Sequence, residues 1–190
     1  MKIHDAKKEQ ASDIASLIMT AMTDECCLFF VGKGQTLDDF RDTMTRLVRM
    51  ENSQYSYKNT VVAEENDGRV VGVCVSYDGA RLRELRKSFI AAANTDFNRD
   101  FSGMDDETQA GELYIDSLAV LPGYRGRGIA SALLRAAVEK ARDMKLPAAG
   151  LLVDNGNPRA EKLYRSIGFE YVDDAEWGGH PMKHLQFEIK

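Results

Sequence analysis

Val120-Leu-Pro-Gly-Tyr-Arg-Gly-Arg-Gly-Ile-Ala130 is the stretch whose reading decides the fold. It stands between an apolar run, Leu113 to Val120 (LYIDSLAV), and a run with helical spacing, Gly126 to Lys145. The first reads as a buried strand. In the second, Ile129, Leu133, Ala137, the stem of Lys140 and Met144 share one side. Gly126 and Gly128 leave backbone N–H groups unshielded where the helix begins. Those groups have no intrahelical partners, and the helix dipole favours anions there. A pyrophosphate fits such a nest, with Arg125 and Arg127 adding positive charge at its rim. A P-loop needs Lys-Ser or Lys-Thr after the glycines, and Ile129-Ala130 supplies neither. A dinucleotide fingerprint comes nearer, because Gly126-x-Gly128-x-x-Ser131 follows a strand and Asp154 ends the next one. Ser131 replaces the third Gly or Ala, however, and Asp154 lies beyond the usual ~20 residues. Too little chain follows Asp154 to complete a doubly wound sheet. A Gly-rich turn with solvated arginines is the remaining local reading.

Working outward, Ala149 to Val153 is a short apolar strand, and Asn157 to Ile167 is a helix closed by Gly168. Phe169 to Val172 and Lys183 to Ile189 read as strands, with a loop near Asp173 to His180 between them. Upstream, residues 11 to 24 place Ile14, Leu17, Ile18 and Met22 at helical spacing, and residues 37 to 50 do the same with Leu37, Phe40, Met44, Leu47 and Val48. Thr36 and Asp39 resemble a capping box, Asp standing in for Glu. The period then changes. Thr60 to Glu65 and Arg69 to Tyr77 are β-rich and flank Asn66-Asp67-Gly68, a strong hairpin turn. Arg81 to Ala93 looks helical, and the remainder of 79–110 has no clean period. No repeat or linker divides the chain. The expectation is one mixed α/β domain over residues 1–190.

Composition narrows the function classes. In 190 residues there are 25 Lys plus Arg against 30 Asp plus Glu, a net charge of -5, which argues against a nucleic-acid binder. The cysteines Cys26, Cys27 and Cys74 have neither disulfide-framework nor zinc spacing. His180 and His184 stand four apart, but Pro181 lies between them without an intervening Glu, so no metal site is expected. The N-terminus lacks an apolar signal region and no run reaches the ~18 apolar residues of a membrane span, which points to the cytoplasm.

Arg125-Gly126-Arg127-Gly128-Ile129-Ala130 resembles the Arg/Gln-x-x-Gly-x-Gly/Ala signature of the GNAT N-acetyltransferase superfamily. Downstream, Asn157-Pro-Arg-Ala160-Glu-Lys-Leu163-Tyr164, followed by Gly168-Phe169, is similar to that family's second motif. The resemblance is strongest from Glu112 to Val172. Segment 79–110 is longer than the family's usual link between its third and fourth strands, and reads as an insertion. The resemblance implies a central, mostly antiparallel sheet flanked by helices, with two central strands splayed apart. It also implies acetyl-coenzyme A as cosubstrate and an amine acceptor, most simply a small molecule, with a homodimer as a further family expectation. A protein lysine or N-terminal acetyltransferase and a non-catalytic acyl-coenzyme A sensor are the alternatives. The backbone of Arg127 to Ala130 would take the pyrophosphate, with Gly126 in the turn and Arg125 at its rim. Leu118 and Val120 would pair with the pantetheine arm, as a β-strand addition does, and Asn157 would hydrogen-bond it.

Physical demands set the other roles. An alkylammonium has a pKa near ~10.4, so the neutral nucleophile costs about 4–5 kcal/mol at pH 7. A base, direct or through water, lowers that cost. Glu112 and Asp116 are the candidates, on the face of Tyr114 by period 2, although a bulge in this strand would change the facing. In some family members the base lies at the place of Tyr114. Tyr164 matches the family's general acid for the departing thiolate, and the N–H of Leu118 is placed to hold the oxyanion. Acceptor specificity is expected from the early helices, from 79–110 and from the loop near 173–180, whose acids (Asp38, Asp39, Asp105, Asp106, Glu107, Asp173, Asp174, Glu176) would attract a cation. Trp177 is a lid or an edge anchor, and Cys26 to Phe30 lines the cleft or joins the core.

Overall fold

The computed structural model describes all 190 residues. Its strands are β1 (Lys2–Asp5), β2 (Thr60–Glu64), β3 (Val70–Asp78), β4 (Glu112–Val120), β5 (Ala148–Asp154), β6 (Glu170–Trp177) and β7 (His180–Glu188). They form one sheet in the order β1-β2-β3-β4-β5-β7-β6. Every pairing is antiparallel except β4 with β5. Helices α1 (Ala11–Met22), α2 (Asp24–Val31), α3 (Leu37–Arg49) and α4 (Leu82–Phe97) cover one face, and α5 (Ile129–Asp143) and α6 (Pro158–Ile167) the other. This is the expected mixed α/β architecture. The two faces bury separate cores, one centred on Phe30, Phe40, Met44 and Phe89, the other on Leu113, Ile129, Leu133 and Phe169. No single helix is long and apolar enough to cross a membrane.

Two irregularities position the site. First, β4 and β5 pair only through Glu112↔Ala148, Leu113↔Ala149 and Tyr114↔Gly150, and from Ile115 onward β4 has no partner on that side. Second, β4 bulges against β3. Val75 faces Ser117 while Ser76 faces Ile115, which leaves Asp116 as the extra residue. The bulge inverts the pleat: Leu113 and Ile115 pack under α5, and beyond it Leu118 and Val120 take that side while Ala119 turns to α1–α4. Asp116 stays on the face of Glu112 and Tyr114. At the same step the Ser76 carbonyl accepts a 2.7 Å hydrogen bond from Lys140 Nζ. More than the stem of Lys140 is therefore packed: its head is tied to β3, and burial pushes its pKa down.

Several boundaries differ from expectation. The helix expected from Gly126 starts at Ile129, because Gly126 and Gly128 both sit at φ +77°, outside the right-handed region. Asn157 caps α6 rather than joining it. The loop expected near 173–180 is strand on both sides of a Gly178-Gly179 turn. β1 and α2 are additions: β1 is a charged four-residue edge strand, and α2 carries exposed Leu28 and Phe29 beside buried Cys27 and Phe30. Cys26, Cys27 and Phe30 of that patch thus join the core, while Leu28 and Phe29 stay at the surface. Thr36 and Asp39 do form the reciprocal capping box of α3. Residues 98–111 are irregular and return to the sheet beside Gly79, where an added Cβ would lie 2.1 Å from the Gln109 carbonyl oxygen.

Candidate active site

The site lies where β4 leaves β5. Leu121 N–H donates to the Val71 carbonyl on β3. Antiparallel pairing alternates, so the backbone groups of Leu118 and Val120 point away from β3, into the gap. The Val120 carbonyl there accepts a 3.0 Å bond from Arg125 Nε, which folds the glycine turn back onto the strand end. Arg127 donates to the Gly123 carbonyl and its guanidinium stands 4.9 Å from the Tyr124 ring centre.

The α5 N-terminus has no side-chain cap, whereas Thr36 caps α3 and Asn157 caps α6. A Cβ added at Gly126 or Gly128 would meet nothing within 4 Å. The turn is an open cradle of backbone donors running from Arg127 through Ile129 and Ala130, and its shape and charge fit a pyrophosphate. Asn157 Oδ1 is engaged by the Ala160 N–H at 3.1 Å, so its Nδ2 is the group left to face a ligand.

Tyr164, on α6, packs with its ring 6.2 Å from that of Phe169. Burial, with Cys74 nearby, pushes its hydroxyl up to about 12. It therefore keeps its proton throughout the neutral range.

The two candidate carboxylates differ sharply. Glu112 is buried and fully engaged: Oε1 accepts from Thr108 at 2.5 Å, and Oε2 from Gln186 and His184 at 2.8 Å each. Burial raises its pKa, but these hydrogen bonds outweigh burial and hold it below the ordinary range. His184 also contacts Asp173 at 3.0 Å, and the bond to Glu112 raises its pKa against burial. Asp116 lies one step past the splay, half-buried, touching Ser117 Oγ at 2.7 Å, Gln54 Nε2 at 3.3 Å and Tyr77 OH at 3.4 Å. Burial raises its pKa. The structure thus keeps Glu112 and Asp116 on one face, as period 2 expects, with Glu112 bonded across β5 and Asp116 bonded toward Gln54 and Tyr77.

Of the other acids, Asp38 pairs with Arg41, Asp39 closes its capping box, Asp106 pairs with Arg83 and Arg86, and Glu107 pairs with Arg86. Glu107 is buried and reaches Tyr77 OH at 3.1 Å. Trp177, at the end of β6, packs against the core of the α1–α4 layer. Gln54, Tyr77, Thr108, His184 and Gln186 were not legible as site residues, because none lies in a motif and each arrives through tertiary pairing.

Residues 22–169 match the family model described as Acetyltransferase (GNAT) family. A solved structure described as the crystal structure of an acetyltransferase superposes with a TM-score of 0.83 at 30% identity, covering 100% of both chains. Mycothiol acetyltransferase of Nocardiopsis dassonvillei is 35% identical over 97 residues, 50% of this chain and 29% of that protein, so the chain spans under a third of that relative's length. Streptothricin acetyltransferase of Streptomyces lavendulae is 30% identical over 54% of this chain and 56% of its own. The matched segment contains both motifs, the splayed strands and the uncapped glycine turn, and the chain belongs to the GNAT acetyltransferase family.

Proposed function

We propose that this protein is an acetyl-coenzyme A-dependent N-acetyltransferase that moves the acetyl group to a primary amine of a small molecule. The observation that carries the reading is the continuous run from the free β4 edge at Leu118 and Val120 into the glycine cradle that opens α5. That run offers backbone donors and acceptors to an amide-bearing arm and backbone N–H groups to a pyrophosphate, in the order the cosubstrate carries those groups. Acetyl-coenzyme A supplies the activated acetyl thioester.

The chain's own residues do the rest. Leu118 N–H faces the gap beside Asp116 and holds the developing oxyanion. Asp116 is the carboxylate assigned to the amine; Glu112 serves by holding β4, β5 and β7 in register. Tyr164 acts on the departing sulfur chiefly as a hydrogen-bond donor. Its pKa of about 12 exceeds that of a thiol, ~8.5, so complete proton transfer would be uphill by roughly 5 kcal/mol. The names of the relatives support a small-molecule amine: mycothiol and streptothricin acetyltransferases are among them.

Two measurements test this. Acetyl-coenzyme A at a hundredfold excess over its dissociation constant should stabilise the fold by about 2.7 kcal/mol. A panel of small amines and peptides should then release free thiol with an amine and not with peptides. Stabilisation without thiol release from any acceptor would leave a sensor, and no stabilisation at millimolar ligand would end the reading.

A further inference from the structure

One charge stands where the helical pattern of α4 asks for an apolar residue. The buried face of that helix is Leu82, Leu85, Arg86, Phe89 and Ala93, and Arg86 is 4% exposed. A charged side chain is almost never buried to that degree unless it is paired. Its partners all come from the chain that follows the helix: the Met104 carbonyl at 3.3 Å, Asp106 at 3.5 Å and Glu107 at 3.4 Å. Asp106 has a second cation, because its Oδ2 accepts from Arg83 Nε at 2.9 Å and Nη2 at 2.7 Å. Glu107 has only Arg86. Nε and Nη2 of Arg86 are buried and donate no hydrogen bond. The guanidinium therefore meets Glu107 as a charge, not as a fork of donors.

Glu107 is one end of a chain that leads to β4. Tyr77 OH lies 3.1 Å from Glu107 Oε1 and 3.4 Å from Asp116 Oδ1, so the two carboxylates share a single phenolic proton. Carboxylates joined in this way repel, and one of them takes a proton unless a cation offsets the charge. The ion pair with Arg86 supplies that offset, and Asp116 makes no ion pair of its own. The other titratable groups around the cluster are neutral at pH 7: burial pushes the hydroxyls of Tyr55, Tyr77 and Tyr114 and the Cys74 thiol upward. Stability alone does not call for the pair, since apolar replacement of a buried ion pair is often neutral or stabilising.

We propose that Arg86 is a positioning residue for acetyl transfer: acting through Glu107 and Tyr77, its charge sets the pH at which the Asp116–Glu107 pair gives up its last proton and is ready to receive one from the amine. Burial pushes both carboxylates up, with Asp116 adding to the push on Glu107, and Arg86 opposes it at both. The long segment ahead of β4 thus supplies the cation from α4 and one carboxylate from its tail.

The meaning of this role for transfer rests on the acetyltransferase reading, but the role itself is read without turnover. The full chain, labelled with ¹³C at the Asp and Glu carboxyl carbons, would be titrated by NMR as wild type, Arg86→Met and Arg86→Lys, with Asp116→Asn to assign the resonance. An opposite charge at this distance is worth about 1–3 pH units, so the last midpoint of the pair should rise by at least about one unit in Arg86→Met and by less than half as much in Arg86→Lys. A midpoint unmoved in Arg86→Met, or moved half as far or more in Arg86→Lys, would overturn the role. Where Arg86→Met does not fold, the comparison passes to Glu107→Gln against Arg86→Met/Glu107→Gln, which removes both members of the buried pair. The Asp116 midpoint should be higher in the double variant by about one unit or more, and equal midpoints would overturn the role there too. With an amine that the enzyme acetylates, the acid limb of the kcat/KM profile should move with the midpoint; a limb that stays while the midpoint moves would also overturn it. A midpoint that moves in a chain releasing no thiol with any acceptor would end the transferase reading alone, and an unmoved midpoint in an active enzyme the role of Arg86 alone.

Discussion

The Glu112 carboxylate lies across the bare backbone of Gly150: a Cβ on Gly150 would sit 1.7 Å from Glu112 Oε2. Gly150 pairs with Tyr114 at the last rung before the strands separate, and it lets Glu112 reach over β5 to His184 and Gln186 on β7. Any side chain there must displace a buried, fully bonded carboxylate. Overpacking costs about 1–3 kcal/mol, and breaking a buried charge pair about 3–5. Gly150→Ala should therefore lose about 2–4 kcal/mol in urea unfolding. A loss below about 0.5 kcal/mol would show that Glu112 relaxes without cost.

The Glu112–His184–Asp173 chain makes stability depend on pH in a defined direction. The folded pKa of His184 is raised, so its contribution is fully present below the unfolded value of ~6.5 and is lost as pH rises through the folded value. The folded pKa of Glu112 is lowered, so its contribution is present above ~4.3 and is lost as pH falls through the folded value. The network is strongest where Glu112 is ionised and His184 protonated. Melting temperatures of the wild type and His184→Gln from pH 5 to pH 9 should differ most near pH 5–6 and converge as the solution becomes alkaline. A constant gap would mean that His184 acts through packing alone.

Periodicity and turn chemistry made most of this fold legible. The hairpin at Asn66-Asp67-Gly68, the capping box at Thr36 and the αL stop at Gly168 are local, and local rules suffice for them. β1 escaped because a four-residue edge strand with Ile3 as its one apolar residue has no pattern to read, and α2 because its apolar residues run together without a period. The far ends of β6 and β7 escaped because their polar side chains are mostly exposed and do not alternate against a core. The cofactor cradle was legible because its backbone demands glycine. The surroundings of Asp116 were legible only in Glu107, one of the acids of 79–110; Gln54 and Tyr77 lie on separate segments that meet Asp116 only in the folded chain.

The cradle at α5 should be separable from the fold's stability. Gly128 holds φ +77° with open space where a Cβ would stand. Gly128→Ala meets no clash within the protein and incurs only the left-handed backbone cost, about 1–2 kcal/mol. A ligand brought against the same backbone would meet the added methyl. The variant should melt a few degrees lower by itself, yet lose most of the stabilisation that acetyl-coenzyme A gives the wild type. Full retention of the ligand-induced shift would place the pyrophosphate elsewhere.

Tyr164 tests how the departing sulfur is stabilised. Burial holds its hydroxyl at about 12, so it neither ionises nor changes charge across the working pH range. Tyr164→Phe removes one hydroxyl and keeps the ring that packs on Phe169, so the melting temperature should move little. Loss of a positioned donor to a developing anion costs about 10²–10³ in turnover. The expected result is a fall in kcat of that order with KM nearly unchanged. The shape of the pH–rate profile should also be the same in both proteins below pH 10, because the group removed does not titrate there. An alkaline limb present in the wild type and absent from Tyr164→Phe would instead show that the ligand-bound site lowers the tyrosine's pKa enough for it to transfer its proton outright.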